Sequence, residues 1–205
     1  MSSVQVPEMQ KPVTMRSDGG NQMTDVAKIA GYTCQQTLKN SISCSGTGLH
    51  SGATVAMTLH PAPSDTGIVF RRIDSEGFGF EVPAHVDHVV DARLGTTLGD
   101  AGGRTLATVE HLMAALCGSG IDNALIDVEG PEVPVMDGSA APFVFLIECA
   151  GIVQQDAPRR YIEILKTVHV DSGNRTASLS PDNIFSLDFE IEFDSKAIGN
   201  QEMSV

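Results

Sequence analysis

Thr108-Val109-Glu110-His111-Leu112-Met113-Ala114-Ala115-Leu116-Cys117-Gly118 is where the pattern of the chain changes. Its apolar residues Val109, Leu112, Met113 and Leu116 fall at i, i+3, i+4 and i+7, which makes one face of a helix. Thr108 is placed to cap that helix, and Gly118 or Gly120 to stop it. Upstream, the periodicity is that of strands. Ala53-Thr54-Val55-Ala56-Met57-Thr58-Leu59 alternates small or polar residues with apolar ones and is closed by Pro61-Ala62-Pro63. Ile68 to Arg72 and Phe80 to Ala84 are further strand candidates. Downstream come a strand over Ala124 to Val128, a loop holding Pro131 and Pro134, and a turn at Met136-Asp137-Gly138-Ser139. A second helix, Ala140 to Ala150, then ends at Gly151.

The two ends read differently. Residues 1–35 are rich in Ser, Gln, Met, Gly and Asp, and only Val26 to Ala30 offers a helical turn, so a disordered extension is expected. Residues 154–160 read as a linker, and beyond it the chain is strand-like again over Tyr161 to Val170, Thr176 to Leu179 and Ile184 to Phe193. In the last of these, Phe185, Leu187, Phe189, Ile191 and Phe193 face one way and Ser186, Asp188, Glu190 and Glu192 the other. Such a strand lays its apolar face on a helical layer or a second sheet. No helix with a matching face follows, so the unit at 161–205 reads as incomplete, strands only.

Composition bounds the function. The 205 residues are 41% hydrophobic and carry 13 Lys+Arg against 26 Asp+Glu, a formal charge of −13. That surface repels a phosphate backbone and argues against nucleic acid as a partner. No run approaches the ~18 apolar residues of a membrane-spanning helix, and no basic cluster precedes an apolar core as in a signal peptide. Cys34, Cys44, Cys117 and Cys149 are scattered without a CxxC pair; they read as core or incidental residues of a protein kept in a reducing cytoplasm.

Three constellations carry candidate chemistry. Glu110-His111 is either an acidic first turn with one polar-edge imidazole or a carboxylate base beside a metal ligand. The H-E-x-x-H protease pattern is excluded, because Ala115 stands one turn after His111. His85-Val86-Asp87-His88-Val89-Val90-Asp91 has metal-ligand composition, but His85 and His88 take opposite faces of a strand, so a solvated edge or turn competes with a metal site. Ser45 to Gly52 has the glycines of a phosphate loop without the Gly-Lys-[Ser/Thr] ending, and it leads into a strand; a hairpin turn fits it better.

Taken together, several ordered motifs resemble one family. Thr37-Leu38-Lys39 with Gly46-Thr47-Gly48-Leu49-His50-Ser51-Gly52, then Thr108 to Leu116, Gly120-Ile121-Asp122-Asn123, and above all Pro131-Glu132-Val133-Pro134-Val135-Met136-Asp137-Gly138-Ser139-Ala140-Ala141-Pro142-Phe143 are similar to the amino-terminal portion of the zinc-dependent UDP-3-O-acyl-N-acetylglucosamine deacetylases of lipid A biosynthesis. The resemblance implies an α+β fold: a two-layer β/α sandwich domain over 36–153, then the first strands of a second, truncated domain of the same kind. It implies a UDP-linked acyl glucosamine as substrate and Zn2+ as cofactor. His111 becomes a zinc ligand, Glu110 the base that activates water at the metal, and Leu94, Gly95 and Thr96 a substrate-contacting loop. The family takes its other two ligands from a His-x-x-x-Asp helix of the second domain and a general-acid His from beyond it. No His in this sequence is followed four residues later by Asp, and the last one, His169, falls in a strand. The expectation is therefore a chain that is inactive alone, with its remaining zinc ligands beyond residue 205, and prone to self-association through its exposed strands. The competing reading is a non-catalytic binding or regulatory module that keeps the first-domain fold.

Overall fold

The computed structural model describes residues 34–205 apart from 75, 76, 78 and 174. All of the expected extension except Cys34 and Gln35 lies outside the described residues. Strands β1 (Cys34–Leu38), β2 (Ile42–Thr47), β3 (Thr54–Pro61), β4 (Ile68–Ile73), β5 (Phe80–Pro83), β6 (Val89–Asp91), β7 (Thr97–Gly99) and β8 (Thr105–Leu106) precede helix α1 (Glu110–Gly118). After it come β9 (Ala124–Glu129), α2 (Ala141–Ala150) and β10 (Ile152–Pro158).

The main sheet has the order β2-β3-β9-β4-β5, antiparallel except where β4 runs parallel to β9. Alternation decides its faces. Val55, Met57 and Leu59 of β3, Ala124, Ile126 and Val128 of β9, and Phe70, Phe80 and Val82 turn inward and are buried. They share one core with Leu112, Ala115 and Leu116 of α1 and Phe143, Ile147 and Ala150 of α2. The opposite face is polar: Arg71 donates to both oxygens of Asp127 at 2.6 and 2.8 Å, and the His60 ring lies 3.0 Å from the same carboxylate. A sheet with helices on one side is the expected α+β sandwich. β6, β7 and β8 form a small antiparallel sheet of their own. No helix among the described residues is long and apolar enough to cross a membrane.

Two expectations change. Residues 154–158, read as linker, lie in β10, antiparallel to β1. Buried amides fasten this ribbon: Asn123 Nδ2 donates to Gln35 Oε1 and Gln155 Oε1, each at 2.8 Å, and the Thr37 hydroxyl donates to the Asn123 carbonyl at 2.7 Å. Thr108 does not cap α1; its hydroxyl goes elsewhere, as described below, and Val109 at the helix start has no side-chain cap. Of the cysteines, read as core or incidental, none is fully buried: Cys34 and Cys44 are half-buried, Cys44 packed against the core, and Cys117 and Cys149 are exposed.

Past Pro158, β11 (Val168–Ser172) pairs with β12 (Arg175–Leu179), and β13 (Asp188–Glu192) with β14 (Asn200–Ser204), as separate two-stranded hairpins. Every described residue of these strands is exposed. The Phe185-to-Phe193 row thus has no covering layer among the described residues; its side chains are 37–88% exposed.

Candidate active site

The site gathers where three loops meet the start of α1. From β8, the Ala107 amide donates to the Pro131 carbonyl at 3.1 Å and the Val133 amide donates to the Ala107 carbonyl at 3.0 Å, so the chain before α1 lies alongside Glu132. Thr108 follows with φ 60°, a left-handed conformation that is an outlier for a β-branched residue. Its buried hydroxyl donates to Glu132 Oε2 at 2.8 Å. The helix begins two residues later with Glu110 and His111.

The turn between β2 and β3 reaches the same carboxylate from the other side. The His50 amide (3.1 Å), the Ser51 amide (2.7 Å) and the Ser51 hydroxyl (2.6 Å) all donate to Glu132 Oε1. A Cβ on Gly48 would collide with that oxygen, which is why glycine stands there. The glycine-rich turn therefore cradles an anion, but one supplied by the chain itself. Glu132 is 2% exposed. Burial pushes its carboxyl up, yet the bonds from Ser51, Thr108 and His50 outweigh this and hold it at about 2.

Glu110 is set by the loop between β6 and β7. The Thr96 amide donates to Glu110 Oε2 at 2.9 Å, and the Val109 amide donates to the Thr96 carbonyl at 3.3 Å. Between them Gly95 leaves a gap: a Cβ there would sit 3.2 Å from Glu110 Oε1 and 3.6 Å from His50 Nε2. Leu94 projects at the edge, 91% exposed, with φ 64°.

His111 is half-buried, and its Nδ1 atom is buried without a hydrogen-bond partner. An orphaned imidazole nitrogen is costly, and a ligand atom waiting for a cation has this signature. Asp137 is held below the usual carboxylate range by the Ser139 amide (2.9 Å) and hydroxyl (2.8 Å). Among the described residues no group of three His, Cys, Asp or Glu side chains is placed to hold a metal ion. His85, exposed, caps a 3-10 turn over Val86–His88 that ends in the half-buried His88, and His85 Nδ1 meets Asp87.

The structure thus brings together Glu110, Gly95 and Thr96, with Leu94 at the edge and His111 on the same helical turn. Sequence reasoning overlooked His50 and Glu132. A signal for Glu132 existed: a carboxylate between prolines in an otherwise apolar loop has to be paired inside the fold.

The chain matches the family model described as LpxC: UDP-3-O-acyl N-acetylglycosamine deacetylase over residues 35–205. It is 54% identical over 173 residues to the UDP-3-O-acyl-N-acetylglucosamine deacetylase of Acidithiobacillus ferrooxidans, covering 83% of this chain and 56% of the relative. Identity to the enzyme of Teredinibacter turnerae is 52% over 160 residues, 78% of this chain and 52% of the relative. For Pseudomonas entomophila the figures are 49% over 170 residues, 83% and 55%. The chain spans about half the length of the curated relatives it matches.

Proposed function

Because the chain belongs to the UDP-3-O-acyl N-acetylglycosamine deacetylase family, we propose that it carries one half of a zinc-dependent site that removes the N-acetyl group of UDP-3-O-acyl-N-acetylglucosamine in lipid A biosynthesis. The observation that carries this reading is the pairing of an orphaned, buried His111 Nδ1 with a Glu110 carboxylate held by a backbone amide. When bound, zinc held by His111 would supply Lewis acidity that polarises the acetamide carbonyl and makes water a stronger acid. Glu110 takes the proton of the attacking water on Oε1 while the Thr96 amide holds Oε2. The water oxygen joins the carbonyl carbon, the C–N bond breaks, the amine nitrogen recovers a proton and acetate leaves.

Leu94, Gly95 and Thr96 contact substrate in this reading. An exposed leucine in left-handed backbone beside a gap bounded by Glu110 and His50 supports it. The first sandwich domain reaches from β1 through β10, 159–160 lead out of it, and 161–205 open a second domain of the same kind. The remaining zinc ligands come from the part of the family's length that this chain does not span. A cytoplasmic location fits the acidic charge and a nucleotide-sugar substrate recognised by a local pocket.

Release of acetate from UDP-3-O-acyl-N-acetylglucosamine, measured on the purified chain with added zinc, tests the half-site. No turnover above the protein-free control is expected, since a catalytic zinc normally needs three protein ligands. Turnover approaching that of a full-length relative would overturn it.

A further inference from the structure

We propose that Glu132 is the positioning residue of this site: one buried carboxylate fixes both the turn that carries His50 and the strained Thr108 that launches Glu110 and His111. The proposal rests on the reading of Glu110 and His111 as base and ligand. Its evidence is separate, and lies in what the carboxylate touches. Both oxygens are used, Oε1 by His50 and Ser51 of the turn and Oε2 chiefly by the Thr108 hydroxyl, with a longer 3.3 Å contact from the His50 amide. The partners stand 82, 81 and 24 residues away in sequence; backbone bonds align the strands on either side, from Ala107 to Pro131 and Val133 and from Val135 to Thr47, and the Glu132 carboxylate is what reaches the His50–Ser51 turn and the Thr108 side chain at once.

A charge at 2% exposure is a costly way to fill space, and an apolar side chain would serve packing better. What the carboxylate adds is short, charge-assisted bonds of fixed direction. Two features require that direction. Thr108 keeps a left-handed backbone that a β-branched residue adopts only when its surroundings over-determine it, and its hydroxyl is tied to Glu132 while its neighbours Ala107 and Val109 are bonded to the Pro131 and Thr96 carbonyls. Gly48 gives up its side chain so that the carboxylate can approach the turn. The outcome is that Glu110 Oε1 and His50 Nε2, on segments joined through Glu132, face the same gap at Gly95. Both segments are registered to one anion, as an outer-shell partner registers a metal ligand.

The test uses the full chain, with NMR signals of the His50 ring and the Thr108–His111 amides as one readout and affinity for zinc chloride as the other. Glu132→Ala removes every bond; it is expected to move both sets of signals and to weaken zinc about tenfold. Thr108→Val cuts only the helix side, so the Val109–His111 amides move and the His50 ring stays. Glu132→Gln keeps an oxygen for the turn and offers its amide to the Thr108 hydroxyl, which can accept, so the His50 signals recover. Thr37→Val is the control for lost stability alone: it removes a buried hydroxyl bonded to Asn123 and Ala62, and both readouts should stay put.

Unmoved His50 and helix-start signals in Glu132→Ala would overturn the proposal, as would an equal loss of zinc affinity in Thr37→Val. If Glu132→Ala does not fold, Thr108→Val decides, and unmoved Val109–His111 amides count against it. A His111→Ala chain that keeps the original zinc affinity refutes the ligand reading only, leaving the NMR signals to judge Glu132.

Discussion

A carboxylate sealed from water keeps its charge only where donors replace the lost hydration, and Glu132 has those donors. Its pH behaviour follows. The group sits at about 2 when folded against an ordinary 4.5, so the unfolded chain binds the extra proton first as acid is added. The stability this contributes is complete above about 4.5 and drains away as pH falls toward about 2. Urea midpoints measured across that window should fall more steeply for the original chain than for Glu132→Gln, which has no such proton to gain. Parallel curves for the two would contradict the hydrogen-bond account of Glu132. The same residue marks a limit of sequence reading. Thr108 looked like a helix cap because caps are local, but its hydroxyl serves a partner 24 residues on, and no spacing rule reaches that far.

At the scale of elements, the hairpins β11–β12 and β13–β14 present the largest departure from an ordinary surface. Phe185 is 88% exposed, and Phe189, Ile191 and Phe193 continue the row at 43%, 37% and 54%. Contiguous apolar side chains beside open strand edges favour association. The chain is therefore expected to bind a hydrophobic dye and to sediment as more than a monomer, and replacing Phe189 and Ile191 with lysine should reduce both. A monomer without dye binding would refute this. Elements were legible where the pattern was local. The helix of Val109, Leu112, Met113 and Leu116, the inward Val55, Met57 and Leu59, and the Asp137 turn all follow from spacing within a few residues. β10 was not, because Gln154, Gln155 and Asp156 have linker composition. Its strand exists through pairing with β1 at the far end of the described chain and through the buried Asn123 amide.

For the molecule as a whole, the sandwich places one carboxylate and one imidazole at the start of α1, and the chain spans about half the length of the curated relatives it matches. The glycine motifs, the Glu-His pair and the Pro-flanked Glu132 together made the family legible, and Gly48, Glu110 and Glu132 are each held by a specific contact in the fold. The alternative metal cluster at His85 and His88 loses its geometric support, since no third His, Cys, Asp or Glu among the described residues joins them to hold a metal ion. In the proposed site, His111 is where a metal would first bind. Zinc titration followed at each histidine ring by NMR addresses it directly, in the original chain, in His111→Ala and in His88→Ala. The account predicts weak binding that perturbs His111 first, disappears with His111→Ala and survives His88→Ala. Zinc uptake on His85 and His88, untouched by the loss of His111, would contradict it.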